Sequence, residues 1–137
     1  MSDCVFCRIV AKTIPATVVH EDEHTLAFMD IGQVNPGHVL VALKAHAENI
    51  FALQDAQAAA LFRSAARVAR AIRAAFEPEG LSVYQANGSA AGQTVLHFHL
   101  HLVPRYQGDG MALTWPVKNP PREKLVDYAD KIRAKLG

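Results

Sequence analysis

Three histidines occupy alternate positions in one short stretch of the chain: His97, His99 and His101. Because side chains alternate between the two faces of a strand, the three are expected to share one face, with Cα atoms ~6.6 Å apart. The residues that alternate with them are apolar and would face a hydrophobic core: Phe98, Leu100 and Leu102. The stretch therefore predicts a strand with one buried face and one chemically active face.

Two kinds of chemistry suit such a face. Imidazole nitrogens bind zinc or iron, so the three histidines could form a metal centre. A neutral imidazole can also attack phosphorus while its neighbours bind or protonate phosphate oxygens. The preceding loop, residues 87–94, favours the second, because its small residues let backbone N–H groups approach an anion and Gln93 and Thr94 add an amide and a hydroxyl. No carboxylate stands near the histidines in the sequence to complete a metal-binding set, so phosphoryl transfer is the preferred interpretation.

A second group of candidate ligands is the C-x-x-C pair formed by Cys4 and Cys7, the two cysteines of the chain. Such a pair serves either as a redox dithiol or as half of a zinc site. The thioredoxin-like βαβ pattern that favours a redox motif is missing from the sequence. Zinc would need two further ligands, for which His46 and His97 are available. From the spacing alone, both interpretations stay open.

Composition limits the classes of protein to consider. A length of 137 residues suits one domain, and a chain of which half the residues are hydrophobic can bury a core. The formal net charge of +1 gives no reason to expect binding to nucleic acid or to an anionic membrane. No apolar run approaches the ~20 residues of a membrane helix, and no secretory leader is recognised. We therefore expect a cytoplasmic protein with reduced cysteines.

The elements that must position these groups are predicted from periodicity. One apolar stripe predicts a long helix from about Asp55 to the "EPEG" stretch at 77–80: Leu61, Ala65, Val68, Ile72 and Phe76. A second predicts a C-terminal helix: Leu125, Ala129, Ile132 and Leu136. A short helical turn is expected over residues 4–11, and strands within 17–30, 38–43, 81–86 and 94–104. Strands joined mostly by short turns, with one helix interrupting, favour an α+β fold with an antiparallel meander sheet.

The stretch "AGQTVLHFHLHLVPR" at 91–105 resembles the signature of the histidine triad (HIT) superfamily. The similarity continues upstream through "CVFCRIVAKTIPA", "LAFMDI", "PGHVLV" and "KAHAENI", and so covers residues 4–105. The chain looks most like the Hint-type bacterial branch of small nucleotide-binding hydrolases or transferases. The resemblance implies a HIT-like fold, with a five-stranded antiparallel sheet, one long helix and a C-terminal helix. It also implies a single HIT domain over residues 1–137, with a variable segment at 106–137.

Family roles can be carried over to matching residues. The resemblance implies that Nε2 of His99 attacks the α-phosphorus of a nucleoside 5′-phosphate derivative, giving a nucleotidyl intermediate that water hydrolyses. A backbone carbonyl near His97 would keep the other ring nitrogen of His99 as N–H. His101 and His38 would contact the phosphate. The remaining assignments are Gln93 and Thr94 at the phosphate and leaving group, Asp30 at the ribose, Phe6, Phe28 and Ile31 at the base, and Asn87 and Gly92 in the nucleotide-binding loop.

The same resemblance implies one structural zinc per chain and no catalytic metal. The zinc ligands would be the C-x-x-C pair and two histidines: Cys4, Cys7, His46 and His97. One departure is Ala86, where relatives often carry Asn or Gln. Trp115 would lie either near the site or in ordinary packing.

The expected protein is a homodimeric hydrolase of purine nucleoside phosphoramidates, aminoacyl adenylates or dinucleoside polyphosphates. A dedicated diadenosine polyphosphate hydrolase is the alternative among such enzymes. From another class comes a nucleotide-binding regulatory or scaffold protein with vestigial turnover. A three-histidine metalloenzyme is the third alternative. No nucleic acid or membrane partner is expected.

Overall fold

The structure, a computed structural model, describes residues 3–112 and 114–137. Its helices are α1 (Val5–Val10), α2 (Asp55–Phe76) and α3 (Arg122–Lys135), with short 3-10 turns at Ile50–Ala52 and Ser89–Ala91. Its strands are β1 (Val18–Glu21), β2 (Thr25–Met29), β3 (Val39–Leu43), β4 (Gly80–Tyr84) and β5 (His99–Arg105). Within the described ranges, no helix has the length and apolar character needed to span a membrane.

The strands form one sheet in the order β1-β2-β3-β5-β4, with every neighbouring pair antiparallel. The predicted α+β class with five antiparallel strands is confirmed. The order departs from a simple meander because α2 carries the chain away from β3, and β4 then forms the far edge. Strand β5 returns between β3 and β4 and is paired on both sides. The histidine strand therefore lies inside the sheet, where its position is well constrained.

Helix α2 covers one face of the sheet. Four members of its predicted stripe are buried, whereas Phe76 is 44% exposed at the last turn. Gln54 and Gln57 form a capping box at the start, and Glu77 ends the helix in a left-handed conformation. The buried stripe packs against apolar residues of the sheet and of the segment before β5, including the three that alternate with the histidines: Phe98, Leu100 and Leu102. This part of the prediction is confirmed.

The other face of the sheet carries a smaller core beneath α1, built from Phe6, Leu26, Phe28, Leu40 and Ala42. Cys4 caps the start of helix α1, and its Sγ accepts a hydrogen bond from the backbone N–H of Cys7 at 3.4 Å. Because residues alternate along β5, His99 and His101 project on this second side. Helix α2 therefore packs on the face of the sheet opposite to the one from which His99 and His101 project.

The histidine strand begins at His99, later than the predicted 94–104. Its ladder to β3 ends at the pair Ala42–His99. Before that pair the chain bends, and Phe98 donates its N–H to the carbonyl of Ala47 at 2.7 Å. The predicted start of the strand is wrong, because His97 lies outside it, although the rings of His97 and His99 both contact Phe6 on the same side of the sheet.

Two contacts fasten α2 to loops at opposite ends of strand β2. Near the middle of the helix, the Ser64 hydroxyl donates to Asp22 Oδ2 at 2.7 Å and lies 2.7 Å from the Thr25 hydroxyl. At its end, the Phe76 ring lies against Gly37, where an added Cβ would come within 2.9 Å of the ring. Gly37 also has φ of +100°, which only glycine adopts readily. The helix is thus held to both the β1–β2 turn and the β2–β3 loop.

The predicted C-terminal helix is present as α3, but none of its residues is buried. Large apolar side chains along this segment are exposed: Trp115, Val117, Leu125, Val126, Tyr128, Ile132 and Leu136. An isolated helix of this length is marginal in water unless a face is packed. The described part of its own chain does not cover this face.

Candidate active site

His99 is held by one hydrogen bond that determines its chemistry. Its Nδ1 lies 2.7 Å from the carbonyl oxygen of His97. A carbonyl oxygen accepts and cannot donate, so Nδ1 carries the proton and Nε2 keeps a free lone pair. Burial lowers the pKa of His99 below its ordinary 6.5. A neutral imidazole with an available Nε2 lone pair is the form that can attack phosphorus.

His38 and His101 form a second hydrogen-bonded pair, with His38 Nε2 at 2.9 Å from His101 Nδ1. The backbone N–H of Val34 donates to His38 Nδ1 at 3.2 Å, so His38 must carry its proton on Nε2. That proton points to His101 Nδ1, which therefore accepts. In its neutral form His101 then carries its own proton on Nε2 and can donate it as a hydrogen bond.

Both rings of this pair are neutral near physiological pH. Burial is the main reason that the pKa of His38 lies below 6.5. Burial, followed by the neighbouring His99 and His38, lowers the pKa of His101 to about 4. The pair therefore leaves one N–H, at His101 Nε2, available on a neutral ring.

Asp30 completes this pair, with Oδ2 3.4 Å from His38 Nε2 and 3.9 Å from His101 Nδ1. The sequence-based argument that no carboxylate stands near the histidines is wrong. The carboxylate is distant in sequence from His101, and the adjacency of β2, β3 and β5 brings it close. Binding of a metal to His38 Nε2 would require a proton on Nδ1, where the Val34 N–H already points. His38 and His101 are therefore hydrogen-bonded to each other, and the Asp30 carboxylate lies beside them.

The loop before β5 is braced by its own polar side chains. Gln93 donates to the carbonyls of Glu48 at 2.6 Å and Val95 at 3.1 Å, and it accepts from the Gly88 N–H at 2.7 Å. Asn87 accepts from the Ile50 N–H at 2.8 Å. Both amides, which were predicted to contact nucleotide, are used here to shape the loop.

Two other predicted loop residues differ in their surroundings. Gly92 ends the Ser89–Ala91 turn with φ of +89°, a conformation that suits glycine. Thr94 is exposed and lines a cavity of about 640 Å³ together with Cys4, His46 and Glu48. Thr94 therefore borders the same cavity as the cysteine-containing segment.

The predicted base-binding residues fall into two groups. Phe6 and Phe28 are buried and meet edge to face at 5.4 Å, and the Phe6 ring lies 4.9 Å from the His99 ring. Ile31 is fully exposed next to Asp30. Trp115 is also exposed, at 79%. The buried rings of Phe6 and Phe28 thus form an apolar surface beside His99, whereas Ile31 exposes its side chain to solvent in the loop between β2 and β3.

The four predicted metal ligands come together in one cluster. His97 Nδ1 lies 3.3 Å from Cys4 Sγ, 3.5 Å from Cys7 Sγ and 3.3 Å from His46 Nδ1. His46 Nδ1 is also 3.3 Å from Cys7 Sγ. Two nitrogens bound to one tetrahedral zinc would be ~3.4 Å apart, close to the separation found here.

The tautomer of His97 also fits a metal ligand. Its Nε2 lies 2.6 Å from the carbonyl oxygen of Leu43, so Nε2 carries the proton and Nδ1 keeps a lone pair. A metal-binding histidine typically donates its other N–H to such an acceptor. Cys4 and Cys7 are free thiols. The donor set, its spacing and its outer hydrogen bond all suit a closed metal site.

The three alternating histidines therefore belong to three different environments. His97 joins the cysteines, His99 bonds to the backbone, and His101 pairs with His38 and Asp30. The alternative of one three-histidine metal centre does not match this arrangement. Sequence reasoning also missed Gln33 and the Val34 N–H, which shape the loop around His38; neither carries a motif that would single it out.

Comparisons with known proteins agree with this geometry. The sequence model of the HIT domain matches residues 11–108. "Protein hit" of Bacillus subtilis is 49% identical over 114 residues, which cover 82% of this chain and 79% of that protein. An "adenosine 5'-monophosphoramidase" of Schizosaccharomyces pombe is 34% identical over 134 residues, 97% and 98% of the two chains.

Solved structures give the same result. A HIT family protein from Bacillus anthracis superposes with a TM-score of 0.95 at 42% identity, covering 98% of each chain. A Zn-bound histidine triad family protein from Mycobacterium smegmatis gives a TM-score of 0.76 at 34% identity, covering 98% of this chain and 99% of that one. The expected HIT-like fold is confirmed, and the chain belongs to the HIT domain family.

Proposed function

We propose that this protein is a nucleotide-binding hydrolase that cleaves the α-phosphate linkage of purine nucleoside 5′-phosphate derivatives. The observation that carries the proposal is the His99 ring, which the carbonyl of His97 holds with its lone pair on Nε2. The S. pombe relative, by its name an adenosine 5′-monophosphoramidase, supports this substrate class. Phosphoramidates, aminoacyl adenylates and dinucleoside polyphosphates all carry a leaving group on the α-phosphorus of a nucleoside 5′-phosphate, which is the atom that the site would attack.

In the first step, His99 Nε2 forms a bond to the α-phosphorus, and the bond from phosphorus to the leaving group breaks. The leaving group departs with the electron pair and is protonated. The Nδ1–H bond to His97 stabilises the positive charge that develops on the ring. In the second step, water attacks phosphorus, the P–Nε2 bond breaks and a proton is released. The products are a nucleoside monophosphate and free His99.

The N–H groups around His99 would stabilise the developing charge on the phosphate. His101 would donate from Nε2 to a phosphate oxygen, with His38 behind it. The 87–94 loop would supply further donors near Thr94, with Gln93 keeping its shape. Asp30 would accept from the ribose hydroxyls, and Phe6, Phe28 and Ile31 would contact the base.

We assign a structural zinc to the cluster of Cys4, Cys7, His46 and His97. Four converging lone-pair donors and the His97–Leu43 bond support this assignment, as does the Zn-bound M. smegmatis relative. The metal would tie α1 to the segment before β5. The proposed phosphoryl transfer uses no metal. Free thiols suited to metal binding also fit the reducing cytoplasm, which we propose as the location.

We propose that the chain, a single HIT domain over residues 1–137, works as a homodimer. Strand β4 is an edge of the sheet and carries two half-exposed apolar side chains, Val83 and Tyr84. Phe62 on the outer side of α2 is 58% exposed. Pairing two copies through β4 and α2 would continue the sheet and cover these residues.

His99→Ala should reduce phosphoramidate turnover by more than about 1,000-fold, because no other neutral imidazole replaces the nucleophile. AMP binding, measured by calorimetry, should persist, since ribose and base contacts lie elsewhere. His24→Ala, at an exposed histidine, is the matched control and should keep full activity. If the protein were a scaffold with vestigial turnover, the wild type and His24→Ala would both show little activity, and no nucleotidyl-protein would form after mixing with an AMP donor.

The pH dependence of kcat/KM should have its acid limb below pH 6.5. The nucleophile must be unprotonated, and burial lowers the pKa of His99 below that value. Turnover should therefore fall as His99 becomes protonated, with half of it lost only below pH 6.5. Circular dichroism at each pH controls for unfolding. A midpoint above 6.5 in folded protein would contradict a buried neutral nucleophile.

Elemental analysis should find about one zinc per chain, because a closed four-ligand site holds one ion. Cys4→Ser should lose the zinc and melt more than about 5 °C lower, since metal binding contributes to folding. Serine can still cap α1, so the change is confined to the metal ligand. Activity should be retained while the variant is folded, because Leu43 still holds His97. A reversible disulfide without zinc would refute the assignment.

Light scattering should give about twice the chain mass of 14.9 kDa at micromolar concentration. Phe62→Glu should shift the protein towards monomer, because it would bury a charge between the α2 helices. Val18→Glu, at an exposed apolar residue of the opposite edge strand β1, should remain dimeric. A monomeric wild-type chain would contradict the proposal.

A further inference from the structure

The loop between β2 and β3 carries two groups of the site at its ends. Asp30 follows β2 and His38 precedes β3, and the Asp30 N–H donates to the His38 carbonyl at 3.1 Å. The side chain of Gln33 lies inside the turn of this loop and bonds to its backbone. The shape of the loop therefore decides where Asp30 and His38 face.

The primary amide of Gln33 uses both its donors and both acceptor positions on the loop. Its Oε1 accepts from the N–H groups of Gly37 at 2.9 Å and His38 at 3.0 Å. Its Nε2 donates to the carbonyl oxygens of His38, at 2.7 Å, and Asp30. The partners fix the orientation of the amide, because a flipped amide would face oxygen towards oxygen and N–H towards N–H.

The tip of the loop is tied to the histidine strand. Asn35 donates from Nδ2 to the carbonyl of Pro104 at 2.7 Å and to Asp109 Oδ2 at 3.0 Å. Asp109 is in turn bound by Arg105, at 2.7 Å from Nε. With Gln33 at its base and Asn35 at its tip, the loop has little freedom to change shape.

This shape presents the Val34 N–H to the ring of His38. The N–H donates to Nδ1 at 3.2 Å, which leaves Nε2 as the protonated nitrogen. Because His38 Nε2 lies 2.9 Å from His101 Nδ1, only one proton fits between them. A backbone donor on one side of the His38 ring, with Asp30 Oδ2 3.4 Å from Nε2 on the other, thereby favours the tautomer of His101 that is protonated at Nε2.

We propose that Gln33 is a positioning residue that fixes the tautomers of His38 and His101 through the Val34 N–H. With the loop in place, His101 presents an N–H at Nε2. If His38 were protonated at Nδ1 instead, its Nε2 would accept from His101 Nδ1–H. His101 would then present a lone pair at Nε2, which repels a phosphate oxygen. The catalytic consequence rests on the function proposed above, whereas the tautomers can be measured without it.

The test uses nitrogen-15-labelled histidine in the full chain and long-range proton–nitrogen correlation spectra at neutral pH. In the wild-type protein, His38 and His101 should both be protonated at Nε2. Gln33→Glu is nearly isosteric and keeps both acceptor contacts, but it removes both donors. In this variant the Nε2 tautomer should be partly or wholly lost at His38 and, with it, at His101.

Two further variants isolate the cause. Gln107→Glu makes the same chemical change at an exposed residue whose side chain has no hydrogen bond among those described, and its spectrum should match wild type. Val34→Pro removes the N–H itself and should also release the Nε2 tautomer of His38. It serves in place of Gln33→Glu if that variant does not fold.

Activity provides a second readout. In Gln33→Glu, kcat/KM for a phosphoramidate should fall about 100-fold, with the far-ultraviolet circular dichroism unchanged. An Nδ1–H tautomer of His38 in the wild-type protein would overturn the proposal outright. So would unchanged tautomers in the folded variant, even if its activity falls. If wild type shows no turnover, the proposed function fails while the tautomer spectra still decide this inference.

Discussion

The hydrogen bond from His99 Nδ1 to the carbonyl of His97 is the interaction on which the site depends. It requires the chain to leave the regular strand just before His99, since a carbonyl still paired in a ladder would point along the sheet. That departure has two effects at once. It directs one backbone oxygen to the nucleophile, and it carries the His97 side chain to the cysteines. A single bend therefore serves both the proposed chemistry and the proposed metal.

Contacts with the backbone also determine which nitrogen of each buried histidine carries the proton. Burial lowers the pKa values of His38, His97, His99 and His101, so each is held as a neutral ring. A neutral imidazole has one donor and one acceptor, and each needs a suitable partner. Backbone groups supply the deciding partner for three of the rings, through Leu43, Val34 and His97. The backbone thus determines which nitrogen faces the substrate or the metal, and side-chain chemistry follows from it.

Much of this arrangement could be predicted from the sequence because it depends on local periodicity. The alternation at residues 98–102 predicted the core face of β5, and the stripe from Leu61 to Ile72 predicted α2. The grouping of Cys4, Cys7, His46 and His97 came from family resemblance and from ligand chemistry, and the structure brings them together.

What could not be predicted depends on strand order and on backbone direction. Asp30 reaches His101 only because β3 lies between β2 and β5, and periodicity carries no information on that order. The bend at His97 follows from the end of a ladder, which the alternating sequence conceals. Gln33 and Asn35 resemble ordinary loop residues until their partners are known. Gln93 and Asn87 were expected to face a ligand, and in this structure their amides bond to the protein itself.

Helix α2 is fastened at Ser64 to the β1–β2 turn and, about three turns later, at Phe76 to the loop of His38. Its exposed surface between these points can vary in composition, but the number of residues between them is fixed. One inserted residue would rotate every later side chain by about 100° and advance it by about 1.5 Å. Phe76 would then leave the flat surface that Gly37 provides, while Ser64 stayed in place. The length of the helix between these two contacts therefore helps to set the position of the loop that carries His38, although no residue of the helix lies in the site itself.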